Sequence, residues 1–492
     1  MMYNLFFYIK FEIYLLFFVC YIIFLHIFTK FFGLKLNVID YMIVSLLFLI
    51  LLLRCCLDDL DGYFTVYLFN NFIIYNDLIK LFKTCMTLFF FAYLIIIYNF
   101  NNIIKIPIVE YLILIFLCFF SLVMIIISNH LFVILLFLEI VNICLYCLIG
   151  LNKNSNKGIE AAFKYFIQSA FATIMGFFSI SLIYLSTGTL FLNELVILLN
   201  ESNIIFILQF SLYVLITVVF FKLGLFPLHS WIADIYQGSY LIVTLFIATL
   251  PKLAYIFLFL KIFIISPNLF VNYSLYIALF SMLYGSIITL YQVSFKRLLA
   301  YGSMVHMGFI LYSLSLYTAI SITSSIFYLL IYILLMIFIF CFMFFLFEEN
   351  KESKDGMHLL DDISKLYNVL NKNYLLSLYF AFVIISLAGL PFFIGFISKW
   401  YIFVGLLVKN QFMDLIILIG TSVLSAVYYI RLIRFLSFTE NKDKKIKFYT
   451  IIKLNKFFYF LIIFLFILNI FIIFYHNWIY LYIFKCVLSL FS

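Results

Sequence analysis

The chain has 492 residues, of which 68% are apolar and only 10% charged, with a formal charge of +9 and a mean hydropathy of +1.25. Soluble domains are roughly 45–50% apolar, and a soluble fold of this size cannot hide so much hydrocarbon from water. The arithmetic argues against a soluble enzyme, a nucleic-acid-binding protein and a disordered scaffold, and it makes the solvent lipid.

Backbone groups in lipid must be satisfied internally, which leaves helices or a closed barrel. The apolar runs are continuous and roughly 20 residues long, the length of a spanning helix, rather than the alternating pattern of a barrel strand. Spans are predicted near 11–31, 39–53, 84–100, 107–128, 131–150, 161–185, 204–235 (interrupted), 242–265, 273–293, 298–316, 321–347, 375–406 (interrupted), 414–436 and 456–475. The expected fold is therefore an all-α polytopic membrane protein of about 14 transmembrane helices. The segment 54–83 is partly amphipathic and is expected at the membrane interface, as is the tail 478–491.

Loop charge supports the count. Loops on one side carry Lys30 and Lys35, Lys105, Lys153 and Lys157, Lys296 and Arg297, Lys351, Lys354, Lys365 and Lys372, then Lys442, Lys444, Lys445 and Lys447. The opposite loops 186–203, 266–272 and 317–320 hold no lysine or arginine. That is a positive-inside pattern, with 54–83 and Lys409 as exceptions. Nine cysteines are scattered; Cys144 and Cys147 form a CxxC, but inside an apolar run, where packing is the expected role.

Residues 163–182 align without gaps on 295–314, matching Phe, Lys, Met, Gly, Phe, Ser and Leu at an offset of 132. Two interrupted helices each carry a proline and a lysine, Pro227 with Lys222 and Pro391 with Lys399. Paired broken helices in two halves point to a transport site. Each proline removes an N–H and frees a carbonyl, of Leu223 and of Leu387, and freed groups at membrane depth persist only against protein or a hydrated cavity. A simple packing kink is the alternative.

Ionisable residues inside a span are costly and mark function by default. Glu139, Lys222, Lys252 and Lys399 fall mid-span; for each the alternative is a snorkelling or helix-gluing side chain. Lys261 and Glu110 lie nearer span ends, where that alternative is preferred. A buried lysine loses its preference for the charged form and a nearby carboxylate restores it, so an acid–lysine contact that opens and closes is a proton switch. Glu139 and Lys222 are the natural pair if their helices touch. His229 and His306 are candidate relays or plain interhelical bonds. Trp231 and Asp234 are expected to anchor the end of the broken helix at the interface, and Lys164 and Lys296 read equally as entry groups or anchors. No phosphate loop, dinucleotide fingerprint, zinc motif or haem-ligand pair is present.

The motifs FKLGLFPLHSWIADIYQGSY…TLFIATLPKLA, QVSFKRLLAYGSMVHMGFIL, SLAGLPFFIGFISKWYIF and SVLSAVYYIRLI, with LFLEIVNICLY before them, cover roughly residues 130–435 in order. They resemble the antiporter-like subunits of NADH:ubiquinone oxidoreductase, respiratory complex I, in the branch called subunit 2 or bacterial subunit N. The PK dipeptide at 251–252 is similar to that branch rather than to subunits 4 and 5. Departures are Ala233, the Ser239–Tyr240–Leu241 turn and the PFF at 391–393.

The resemblance implies fourteen helices with two inverted five-helix repeats and discontinuous helices 7 and 12. The implied division is 1–106 (helices 1–3), 107–265 (helices 4–8), 273–436 (helices 9–13) and 437–492 (helix 14 and tail). It implies that Glu139, Lys222, Lys252 and Lys399 line a proton path. It implies a proton-translocating subunit whose chain does no redox chemistry. Flavin mononucleotide, Fe–S clusters and ubiquinone are expected in other subunits, and the partners in antiporter-like paralogues, other membrane-arm subunits and lipids, with no nucleic acid. The AT-rich bias of 68 Phe and 38 Tyr suggests an organellar gene and the mitochondrial inner membrane, with a bacterial plasma membrane as alternative. Other readings are a multisubunit cation/proton antiporter and a non-pumping scaffold.

Overall fold

The computed structural model describes residues 2–32, 38–58, 65–100, 107–152, 155–201, 206–343, 347–349, 357–359, 374–437 and 456–490. Lys35, Lys105, Lys153, Lys351, Lys354, Lys365, Lys372, Lys442, Lys444, Lys445 and Lys447, on which much of the loop-charge pattern rests, lie outside them.

Among the described residues the chain forms seventeen helices. In chain order they are α1 (Met2–Phe32), α2 (Val38–Asp58), α3 (Asp77–Phe100), α4 (Ile108–Ile127), α5 (Leu131–Gly150), α6 (Asn156–Thr187), α7 (Leu192–Glu201), α8 (Phe206–Leu223) and α9 (Ser230–Gly238). There follow α10 (Leu241–Ile265), α11 (Pro267–Tyr291), α12 (Phe295–Ser315), α13 (Ala319–Met343), α14 (Tyr374–Ala388), α15 (Ile394–Val408), α16 (Phe412–Ser437) and α17 (Lys456–Leu488). Twelve are long and apolar enough to cross a membrane; α2, α14 and α15 have shorter apolar stretches. Counting α2 as one crossing and α14 with α15 as another gives fourteen.

The segment 54–83 takes in the end of α2 and the start of α3. It contains an antiparallel hairpin of β1 (Val66–Leu68) and β2 (Ile73–Tyr75), turned at Phe69, Asn70 and Asn71, all with positive φ. Asparagine tolerates that conformation because its short side chain can bond locally. The hairpin is tied to the α4–α5 connection by Asn129, whose amide donates to the Asn71 carbonyl at 3.0 Å. Asn76 then caps α3 by accepting from the Ile79 N–H at 2.8 Å. Residues 478–488 of the tail continue α17, which runs unbroken through Leu488.

The chain divides into two compact units, Met1–Gly224 with Gly238–Tyr273 and Lys485–Ser492, and Leu225–Gln237 with Ser274–Phe484. The 107–265 division thus differs from the packing, which assigns the turn and α9 to the second unit. In the first unit α4 packs on α5, α5 on α6 and α6 on α8, while α10 packs against α3, α4, α7 and α8. Only Lys261 and Ile264 of α10 escape burial, so this helix is the first unit's core. In the second unit α13 packs on α12, α14 and α15, and α16 on α14 and α15.

Both interrupted helices are present. α8 stops at Leu223, and Gly224 follows with φ +70°. α14 stops at Ala388, and Gly389 follows with φ +77°. Left-handed backbone is open to glycine without steric penalty, so glycines terminate the helices and the exposed Pro227 and Pro391 occupy the turns. The gap-free repeat is not the repeat of the architecture. After α6 the next long helix is the broken one, whereas after α12 the unbroken α13 intervenes. What the aligned segments share is local packing. A Cβ on Gly176 would press on Leu135 of α5 at 3.1 Å, and one on Gly308 would overlap Met282 and Ser281 of α11 at 2.5 and 2.7 Å.

The tightest junction joins α14 to α15, where a Cβ on Gly395 would lie 1.6 Å from the Ser386 carbonyl oxygen. Gly395→Ala should therefore destabilise the protein by about 3 kcal/mol or more. Gly420→Ala, with nothing within 4 Å of its Cβ, should stay within about 0.5 kcal/mol. Thermal unfolding of the two purified variants checks the contrast.

Candidate functional site

Charges buried among hydrocarbon need partners, and the partners define the site. In the first unit Lys222 closes the last turn of α8 and is 3% exposed. Its ammonium donates to Oδ1 of Asn142 on α5. Asn142 in turn donates from Nδ2 to Oε2 of Glu139 at 2.6 Å. The other carboxylate oxygen of Glu139 accepts from the Thr173 hydroxyl of α6 at 3.1 Å. Among the described residues no Glu139–Lys222 ion pair is made. The expected pairing of acid and lysine is thus realised through an intervening amide.

The sequence reading missed Asn142 and Thr173. The signal for Asn142 was its position three residues after Glu139, which puts both on one face of α5, with a fully buried amide in an apolar run. Lys252 lies in the enclosed core helix α10, immediately after its internal Pro251, and is 5% exposed. A small cavity between α5, α6, α8 and α10 is lined only by apolar residues, among them Leu135, Leu138 and Val218.

In the second unit Lys399 sits near the start of α15 and reaches back to the end of α14. Its ammonium donates to the Ala388 carbonyl at 2.9 Å and to the Ser425 hydroxyl of α16 at 3.1 Å. It also lies 5.5 Å from the centre of the Phe309 ring. The last carbonyls of a helix lack intrahelical partners and carry the negative end of its dipole, so a cation there satisfies both bond and field. The sequence placed the freed group at Leu387; the one the lysine holds belongs to Ala388. Gly389 is needed for this approach, since a Cβ there would meet Lys399 Nζ at 2.8 Å.

His306 of α12 is buried, with Nδ1 bonded to the Tyr328 hydroxyl at 2.7 Å and Nε2 to the Tyr429 hydroxyl at 3.0 Å. Both ring nitrogens are engaged by groups that donate or accept. A small cavity beside it is lined by Tyr328, Tyr332, Ser386, Gly395 and Ser398, the last adjacent in sequence to Lys399. His229 lies elsewhere, half-buried in the turn before α9, with its ring 4.6 Å from that of Tyr284. Asp234 pairs with Arg297 at 3.3 Å, and Trp231 is buried rather than anchored at an interface. Lys164 is an exposed partner of Glu160 at 2.6 Å, whereas its sequence counterpart Lys296 is buried. Among the described residues no group of three or more His, Cys, Asp or Glu is placed to hold a metal.

The arrangement is that of a multi-pass membrane protein with interrupted helices in both units and a buried lysine at each interruption. The family model described as NADH:quinone oxidoreductase/Mrp antiporter, TM matches residues 128–425, and the chain belongs to that family. A relative named NADH-quinone oxidoreductase subunit N from Pelagibacter ubique is 31% identical over 347 residues, covering 70% of this chain and 72% of the relative. Two solved structures share the fold. One is a chain of respiratory complex I from Thermus thermophilus, with a TM-score of 0.77, 22% identity, and coverage of 96% of this chain and 98% of that one. The other is a chain of the membrane-bound sulfane sulfur reductase, an archaeal respiratory complex, with a TM-score of 0.83, 22% identity, and coverage of 98% and 96%.

Lys261 provides a comparison within the same chain. Its ammonium donates to the Ser128 carbonyl at 2.7 Å and the Ile125 carbonyl at 3.3 Å, capping α4. Lys261→Met should strand these acceptors and cost about 1–3 kcal/mol, with Lys261→Arg recovering most of it. Denaturation midpoints of the two variants measure the effect.

Proposed function

We propose that the chain is a proton-translocating membrane-arm subunit of an NADH:quinone oxidoreductase. Glu139, Lys222 and Lys252 act in its first unit, and His306 and Lys399 in its second. The observation that carries the reading is the Glu139–Asn142–Lys222 array, a half-buried acid and a buried lysine joined through hydrogen bonds at the end of an interrupted helix. A buried lysine amine is poised to take and release a proton when a nearby negative charge strengthens or weakens its hold. Energy released by electron transfer in other subunits would shift the Glu139–Lys222 coupling and drive a proton from Lys222 to Lys252 and on to Lys399. Each charge moved against the field costs roughly 2.3 kcal/mol per 100 mV.

On this reading the chain itself carries no cofactor. Flavin, Fe–S clusters and ubiquinone belong to partner subunits, and antiporter-like paralogues and lipid surround it. His229, against Phe226 of the turn and Tyr284 of α11, is a further relay candidate. The AT-rich composition supports a mitochondrial inner membrane, while the bacterial source of the subunit N relative supports a plasma membrane, and the latter is the better supported of the two.

Purification from detergent-solubilised membranes under native conditions tests the assembly. Co-migration with flavin and Fe–S subunits in an NADH-oxidising particle is the expected result; recovery with other antiporter-like chains alone and without that activity would assign it to a cation/proton antiporter. In the reconstituted particle, Lys222→Ala and Lys399→Met should each lower the protons moved per NADH oxidised. An unchanged ratio in Lys222→Ala would refute the proton-path reading.

A further inference from the structure

The proton-path reading makes Glu139 and Lys222 the acid and base of one switch, and Asn142 is what stands between them. It is fully buried and bonded at both ends of its amide, by Lys222 Nζ at Oδ1 and to Glu139 Oε2 from Nδ2. The carbonyl end faces the cation and the amino end faces the anion. The reverse orientation would set an amino group against an ammonium and a carbonyl against a carboxylate, so the two charges fix the amide's direction. The Thr173 hydroxyl stands 3.1 Å from the far oxygen of Glu139 and 3.0 Å from the Ala170 carbonyl.

We propose that Asn142 is a positioning residue that couples Glu139 to Lys222 through one neutral amide and keeps them from closing into a direct ion pair. The inference rests on the proton-path reading. Its physical content is a matter of holding strength. A carboxylate in contact with a buried ammonium favours the charged lysine strongly, and such a lysine would not release its proton in turnover. At one amide's remove the attraction persists but is weaker, because Coulomb energy falls with distance. Asn142 has no titratable group, so it neither gains nor loses a proton in the cycle. The proton leaving Lys222 passes to the neutral amine of Lys252, and the neutral Lys222 amine still has N–H groups to donate to Oδ1.

Two substitutions of similar size separate the two halves of the role. Asn142→Asp keeps an acceptor for Lys222 but gives it a carboxylate partner in direct contact and places a second anion beside Glu139. Asn142→Leu removes the coupling altogether. Both are made in the intact NADH-oxidising complex, together with Lys222→Ala. Assembly is followed by native electrophoresis, and protons moved per NADH oxidised are measured in proteoliposomes. A defect of folding alone lowers the amount of assembled particle, not the ratio within it.

The expected result is that both Asn142 variants lose protons per NADH to the level of Lys222→Ala. If Lys222→Ala lowers the ratio and either assembled Asn142 variant keeps the wild-type value, the inference about Asn142 is overturned and the proton-path reading stands. If Lys222→Ala itself keeps the wild-type ratio, the reading fails and the inference with it. Should Asn142→Leu not assemble, the near-isosteric Asn142→Asp decides alone.

Discussion

A buried lysine at the break of an interrupted helix is the constraint that both halves of the molecule share. Breaking a helix in lipid exposes carbonyls that no water reaches, and burying a lysine exposes a charge. Each fault compensates the other when they coincide. In α8 the lysine is part of the last turn of the half-helix, and its ammonium goes to the Asn142 amide of α5 rather than to a freed carbonyl. In α14–α15 it comes from the following half-helix and reaches back to Ala388. The two lysines thus stand on opposite sides of the break in sequence. Lys261 uses the same chemistry at the end of the unbroken α4, and Arg431 does so at the Leu290 carbonyl near the end of α11. Capping a helix end with a cation thus recurs at Lys399, Lys261 and Arg431, and Lys222 differs in giving its ammonium to the Asn142–Glu139 array instead.

That distinction bears on how charge is held without being locked. A direct buried ion pair gains Coulomb energy at a large desolvation cost and leaves both groups permanently ionised. The second unit avoids carboxylates around Lys399 and surrounds it with neutral acceptors and the Phe309 face. The first unit allows one carboxylate but interposes an amide. Both give the ammonium hydrogen bonds without a counter-ion in contact.

Long apolar runs made the helical architecture legible, because the spanning length is set by the bilayer and is insensitive to exact residue choice. The ionisable residues within the runs were legible for the same reason: Glu139, Lys222, Lys252 and Lys399 stand out against hydrocarbon. Contacts between helices were not. Asn142 could be flagged as polar, but only the approach of α8 to α5 shows which lysine it meets. The tyrosines around His306 were hidden among 38 of their kind, since an aromatic ring in a membrane helix reads as packing until its hydroxyl finds a partner. The hairpin at 66–75 was not legible, because two three-residue strands are too short for a period-2 pattern to stand out. The offset of 132 misled for a related reason, since small residues at helix crossings recur wherever helices approach closely.

The N-terminal helices carry a feature with a bearing on how the chain enters the membrane. Lys83 of α3 is paired with Glu12 of α1 at 2.6 Å, with side chains 4% and 5% exposed, and its ammonium lies 4.7 Å from the Phe11 ring centre and 4.8 Å from that of Tyr75. During synthesis α1 emerges first, so the counter-ion is in place before the cation that needs it. Without the Glu12 carboxylate Lys83 would be a buried ammonium that has lost its ion-pair partner, which costs about 3–5 kcal/mol.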